Sequence, residues 1–165
     1  MKIIVVSDSH GDTVLLSKVT EKENDADVYI HCGDYCLPDY MMNMWRYVAG
    51  NCDWSSEAPL QIELETPLGK IHVEHGNSLK MKINFYNYVK NTKAYIFLSG
   101  HTHYKNASKI GDTYYFNPGS LTHPHDDNFG SYLVLKIDEK NKTLEYKFMK
   151  IDLHNGEISE CKKTI

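Results

Sequence analysis

Five short polar motifs carry side chains able to do chemistry: Asp8-Ser9-His10, Gly33-Asp34, Gly50-Asn51-Cys52-Asp53, His75-Gly76 and Gly100-His101-Thr102-His103. Taken singly, each is weak. A D-x-H or an H-x-H arises often by chance, and a loop histidine is more often solvated than a ligand. Their conjunction carries more. Each follows a short apolar stretch, so five separate strand ends present Asp, Asn or His, and all can converge on one edge of a sheet. Carboxylate, carboxamide and imidazole together form a mixed oxygen and nitrogen set suited to Mn²⁺, Fe, Co or Zn²⁺ rather than Ca²⁺. The cysteines Cys32, Cys36, Cys52 and Cys161 form no C-x-x-C pair, which argues against a structural zinc site.

The elements that must position these motifs are legible in outline. Lys2–Val6 is a continuous apolar run with β-branched residues and predicts a buried strand. Val14, Leu15, Lys18 and Val19 stand at helical spacing, predicting a helix over 13–23. Asp27–His31 reads as a second strand, 39–46 as a helix and Tyr47–Ala49 as a third strand. This alternation favours an α/β sheet with function at the strand ends. Further on the pattern changes. Leu60–Thr66 and Lys70–Glu74 flank a Pro67-Leu68-Gly69 turn and predict a hairpin. Residues 79–90 read as helix and Ala94–Leu98 as a strand. Two more hairpins follow, 105–110 with 113–116 and 131–138 with 143–150. The hairpin-rich second half predicts a second sheet packed on the first. The segment 151–165 is polar and carries no clear pattern.

The 165 residues, with no linker and no internal repeat, are read as one domain spanning 1–165. A net charge of −4 argues against stable nucleic-acid binding, though bound divalent cations would invert the local field for a nucleotide substrate. The apolar run after Lys2 is too short for a signal peptide and no stretch is long enough to span a membrane. With no cysteine framework, a cytoplasmic location with reduced thiols is expected. The aromatic content is compatible with a homodimer.

The order D-x-H, G-D, G-N-x-D, H, G-H-x-H resembles the calcineurin-like metallophosphoesterase superfamily. The form Gly50-Asn51-Cys52-Asp53 and the later Asn117-Pro118-Gly119-Ser120 are similar to its small YfcE-type phosphodiesterase branch. The resemblance runs from Met1 to about His125. It implies an α/β fold, a four-layer αββα sandwich of two mixed sheets flanked by helices, with two divalent metal ions at one edge. Mn²⁺ is the first expectation, with Fe, Ni, Co or Zn as alternatives. By the same resemblance Asp8, His10 and His103 would hold one ion, Asn51, His75 and His101 the other, and Asp34 would bridge them. Asp34, Asn51 and His75 are also implied as catalytic residues. His72 is the competitor to His75, which is preferred because Gly76 follows it where the strand ends. Two ions about 3.5–4 Å apart would share a water of lowered pKa, which would attack phosphorus in line with the leaving group. The implied activity is hydrolysis of a small phosphate ester, a diester before a monoester. The alternatives are a phosphomonoesterase or nucleotide phosphatase on the same site, and a non-catalytic protein-binding scaffold like the retromer subunit that shares this fold.

Three positions depart from the wider pattern. Cys52 stands where many members have a histidine that resembles a general acid, which puts leaving-group protonation in question. It reads here as a small residue lining the pocket. Asn77 stands where relatives often carry another histidine. His123 and His125 read either as a solvated loop or as the source of the missing acid. Asn117 and Ser120 are expected to serve a turn, and Asp53 to be a partner of the ligands. Met81, Phe85, Tyr86 and Tyr88 are expected in a core or subunit interface, with Lys80, Lys82, Lys90 and Lys93 on a solvated face.

Overall fold

The computed structural model describes residues 1–79 and 84–161. The chain runs β1 (Lys2–Val6), α1 (Thr13–Lys22), β2 (Val28–His31), a 3₁₀ turn (Asp39–Met42), β3 (Trp45–Tyr47), β4 (Gln61–Thr66) and β5 (Gly69–Glu74). It continues with α2 (Phe85–Asn91), β6 (Ile96–Leu98), β7 (Lys105–Ile110), β8 (Thr113–Pro118), β9 (Gly130–Asp138), β10 (Thr143–Ile151) and β11 (Ile158–Glu160). One sheet has the order β11-β10-β9-β1-β2-β3 and the other β4-β5-β6-β8-β7. Both are mixed. β1, β2 and β3 are parallel in the first, and β5, β6 and β8 are parallel in the second.

Period-two alternation explains the layers. Ile3 and Val5 point into the inter-sheet core with Ile30, Ile71, Val73, Ile96, Leu98 and Leu133. Ile4 and Val6 point the other way, against Leu15, Leu16 and Val19 of α1. A strand buried on both faces reads as one unbroken apolar run, as Lys2–Val6 does. α1 begins where Asp12 Oδ1 accepts the Leu15 N–H at 2.9 Å. On the far side, Val89 of α2 packs on Phe97 and Ile110. The arrangement is the expected sandwich of two mixed sheets flanked by a few helices.

Several expectations change. The helix predicted over 39–46 is a single 3₁₀ turn, and the strand expected at 47–49 begins at Trp45 instead. Met42 and Trp45 are both buried, but they seat the turn and the strand edge, and a short apolar run does not distinguish the two. In α1 the buried face is Leu15, Leu16 and Val19, while Val14 is exposed. The helix expected from Leu79 is observed as Phe85–Asn91, with 80–83, including Met81, Lys80 and Lys82, outside the described residues. Phe85 and Tyr88 join the core beneath α2, whereas Tyr86 is exposed. The last hairpin does not join the second sheet. β9 pairs antiparallel with β1, so the first sheet is completed by the end of the chain, and β11 adds a strand in the segment that carried no pattern. Among the described residues no helix is long and apolar enough to cross a membrane.

Candidate metal centre

The motifs lie beyond the carboxyl ends of the parallel strands: Asp8 and His10 after β1, Asp34 after β2, Asn51 after β3, His75 after β5, and His101 and His103 after β6. Strand ends from both sheets therefore meet at one edge of the sandwich, the usual place for sites in such folds. Two groups of ligand atoms share Asp8. One is Asp8, His10 and His103, the other Asp8, Asp34 and His75, and the atoms in each lie within 4.8 Å of one another. His75 Nε2 stands 3.3 Å from Asp34 Oδ2, 3.1 Å from Asn51 Oδ1 and 4.0 Å from Asp8 Oδ1. His103 Nε2 lies 3.1 Å from Asp8 Oδ1. The His101 ring meets the His75 ring at 5.2 Å, and its backbone N–H donates to Asp8 Oδ2 at 3.0 Å. Of the two competing histidines, His75 faces this cluster, while His72 is buried in a stack on Phe97.

The backbone here is held in an unusual state. Asp8, His10, Asp34, His101 and His103 all have positive φ, between 43° and 66°. For a side-chain-bearing residue the left-handed region costs about 1–2 kcal/mol, so the surrounding bonds must over-determine it. They do. Ser120 Oγ and Thr122 Oγ1 both donate to Asp8 O, at 2.9 and 3.0 Å. Asp53 Oδ2 accepts the N–H groups of Asp34 and Gly50, and its Oδ1 accepts that of Cys36, each at 2.7 Å. Asn117 Nδ2 donates to Gly100 O at 2.7 Å while its Oδ1 accepts the Gly119 N–H. The Asn117–Ser120 turn thus also fastens the β1 and β6 loops. Gly50 is required by space: a Cβ there would overlap the Asp34 carboxylate.

The electrostatics and tautomers follow from these contacts. His75 Nδ1–H donates to Cys32 O at 2.8 Å and His103 Nδ1–H to His123 O at 2.7 Å, which leaves both Nε2 atoms turned toward carboxylates. Burial pushes the Asp34 carboxyl up, but the hydrogen bond and charge of His75, with the Cys52 N–H, outweigh it and hold it well below the usual range. Asp8 is likewise lowered against its burial by His103 and His75. His75 is raised by Asp34 and Asp8 despite burial, and His103 is raised first by the Asp8 carboxylate beside it. Burial lowers His10. These opposed shifts show that the cluster favours positive charge at its centre.

A divalent ion fits this set. Asp8 Oδ1 is fully buried and, although close to His103, makes no hydrogen bond. Donors about 2.0–2.2 Å from a common ion stand about 3 Å apart, close to the 3.1 and 3.3 Å seen around His75 Nε2. Backbone-anchored Nδ1–H groups are also what fix a histidine ligand's tautomer and aim.

The model of the calcineurin-like phosphoesterase superfamily domain matches residues 1–140. The chain belongs to that superfamily. Among curated proteins it is 28% identical over 152 residues to the probable metallophosphoesterase YsnB of Bacillus subtilis, covering 88% of this chain and 90% of that one. Among solved structures it superposes on a predicted phosphoesterase from Streptococcus pneumoniae with a TM-score of 0.78 and 27% identity, covering 98% and 97% of the two chains. The Zn²⁺ complex of Vps29 from Entamoeba histolytica gives a TM-score of 0.77 at 20% identity over 97% of each chain, which speaks to the fold alone.

Some residues around the centre carried no advance signal. Thr122 carries none, because a lone threonine in a loop has no distinguishing pattern. Asp53 had only its neighbours in the third motif to mark it. His123 and His125 are exposed yet not free of the site: the His123 ring meets the His10 ring edge-on at 5.0 Å, and the His125 ring stacks on His103 at 4.6 Å. Burial and the nearby acids push the Cys36 thiol up to about 12 and raise that of Cys52, which favours the protonated thiol at both.

Proposed function

We propose that this chain is a phosphoester hydrolase with a dinuclear metal centre, with Mn²⁺ the first choice, and that it prefers phosphodiesters. In this reading Asp8, His10 and His103 hold one ion and Asn51, His75 and His101 the other, with Asp34 between them. The observation that carries it is the pair of ligand groups joined at Asp8, one carboxylate oxygen of which is buried without a hydrogen bond. When bound, two divalent ions would supply Lewis acidity toward the phosphoryl oxygens and a water nucleophile near neutral pH.

The chain's own residues do the positioning. Ser120 and Thr122 hold the Asp8 backbone, Asp53 holds that of Asp34, and Cys32 O and His123 O aim the two histidines. The Cys52 N–H donates to Asp34 Oδ1 at 2.8 Å, which leaves Oδ2 facing His75. A neutral Cys52 thiol is a poor proton donor, so His123, packed on His10, is the group we assign to leaving-group protonation. Aryl esters, which need little protonation, should then outpace matched alkyl esters, and His123→Ala should widen the gap. Equal rates on both would remove this role. The four free cysteines fit a reducing, cytoplasmic setting.

The test is hydrolysis of bis-p-nitrophenyl phosphate beside p-nitrophenyl phosphate by metal-stripped protein, with and without added Mn²⁺. Metal-restored turnover favouring the diester supports the reading. Preference for the monoester would make it a phosphatase. Metal binding without turnover of either would favour the non-catalytic, protein-binding scaffold reading.

A further inference from the structure

One cluster of side chains able to bind a metal lies beside the centre and contains two thiols that have no part in that chemistry. The sulfurs of Cys36 and Cys52 and a ring nitrogen of His10 all lie within 4.8 Å of one another. Cys36 Sγ is 3.7 Å from His10 Nδ1, and both cysteines are exposed and free of any disulfide. A tetrahedral ion with Zn–N of about 2.0–2.1 Å and Zn–S of about 2.3 Å holds nitrogen and sulfur about 3.6 Å apart, and two sulfurs about 3.8 Å apart. The His10–Cys36 edge already has that length.

The carriers are fixed by backbone bonds rather than by the thiols themselves. The His10 N–H donates to Asp34 O at 3.0 Å and the Gly11 N–H to Tyr35 O at 2.8 Å, which ties the β1 loop to the β2 loop. Cys36 has a φ of 51°, and Asp53 Oδ1 accepts its N–H. Asp53 Oδ2 accepts the N–H of Gly50, two residues before Cys52, so one carboxylate sets the position of both sulfurs. That carboxylate and Asp34 give the surroundings a negative field that favours a cation.

We propose that Cys36, Cys52 and His10 form a thiolate-containing site for a single soft or borderline divalent ion such as Zn²⁺ or Cd²⁺. Its sulfur ligands distinguish it from the oxygen and nitrogen set built on Asp8 and Asp34. On binding, each thiol releases its proton to solvent as its metal–sulfur bond forms, so no oxidant or reductant is involved. Thiolate ligands select against Mn²⁺ and for Zn²⁺. His10 belongs to both groups, so an ion seated on the two sulfurs competes for the imidazole that the first site also uses.

Two measurements on the whole chain test this. Titration with Co²⁺ should produce a thiolate-to-cobalt charge-transfer band in the near ultraviolet, lost in both Cys36→Ser and Cys52→Ser. The oxygen and nitrogen set cannot produce that band. In the wild-type protein, where no variant can misfold, added Zn²⁺ should slow alkylation of Cys36 and Cys52 by iodoacetamide about tenfold or more, because the ligated thiolate is withdrawn from reaction. Cys161 serves as the unprotected control. Absence of the band at saturating Co²⁺, or equal alkylation rates with and without Zn²⁺, overturns the proposal. Mn²⁺-dependent hydrolysis that persists in either case leaves the phosphoesterase reading standing.

Discussion

Asp53 touches no proposed ligand side chain, yet it is where the centre is most exposed to a single substitution. Its carboxylate accepts three backbone N–H groups, from Asp34, Gly50 and Cys36, each at 2.7 Å. Asp53→Ala would strand all three. Hydrogen bonds to a charged acceptor contribute about 1.5–3 kcal/mol each, and water entering the vacated space restores part, so the net loss is about 3–5 kcal/mol. For a domain of this size each kcal/mol lowers Tm by about 2–4 °C, so the metal-free variant should melt about 6–20 °C below wild type. Asp53→Asn keeps a carbonyl oxygen for the Asp34 and Gly50 donors but turns an N–H₂ toward that of Cys36, and should fall between the two. The second readout is metal affinity. Asp53 is the acceptor for the N–H of Asp34, which sits at a positive φ of 54°, and loss of such a supporting partner weakens metal binding about 10–100-fold. Calorimetry in a chelator gives the Tm, and Mn²⁺ titration gives the affinity. An Asp53→Ala protein that melts within about 2 °C of wild type and binds Mn²⁺ equally well would refute the claim that these three bonds hold the loops.

Other outcomes follow from the same geometry. Gly50→Ala drives a methyl group into the Asp34 carboxylate; turnover should fall about a hundredfold with far-ultraviolet dichroism unchanged, and native turnover would sink the close-packing argument. His31 is fully buried, with Nε2–H on Ser9 Oγ at 2.9 Å and Nδ1 accepting the Gly33 N–H at 3.2 Å, and burial lowers its pKa to about 3. The unfolded chain takes up that proton near pH 6.5, so the contribution is complete above 6.5 and is lost as pH falls, by about 2 kcal/mol at pH 5. Urea denaturation at pH 7.5 and 5 should therefore show a smaller stability difference between wild type and His31→Gln at the lower pH, and a constant difference would contradict it. Mn²⁺ at about a hundred times its dissociation constant should stabilise the fold by about 2.7 kcal/mol; His103→Ala should lose most of that increment at the same concentration, and an undiminished rise in Tm would remove His103 from the ligand set.

The parts of the site legible in the sequence were those where a polar residue interrupts an apolar run. Asp8, Asp34, His75 and His101 each announce a strand end, and the strand itself dictates where that end lies. His75 was separable from His72 because only one of them is followed by a break in the strand. The illegible parts depend on distant partners. That β9 returns to β1 is a choice between two sheets that period-two patterning leaves open, since either offers an apolar face. The 3₁₀ turn at Asp39–Met42 was hidden because Met41, Met42, Met44 and Trp45 satisfy a helical spacing too. The fastening of Asp8 by Ser120 and Thr122 joins residues over a hundred positions apart, and nothing local marks it.

The place of β1 between β2 and β9 has a consequence for how the molecule comes into being. Met1 and Ile137 exchange backbone hydrogen bonds at 2.8 Å, so β1 finds one of its sheet partners more than a hundred residues later in the chain. Ribosomes add about 5–20 residues each second, and pairings across such sequence separations also make for slow folding. For several seconds the emerging chain carries an apolar strand with one unpaired edge, and its first two metal-seeking loops are already made. The loop after β1, tied first to the β2 loop, gains its bonds from Ser120 and Thr122 only when those residues arrive. A growing chain thus holds the ingredients of the candidate centre long before it holds the centre, which takes its final geometry only once synthesis has passed Thr122.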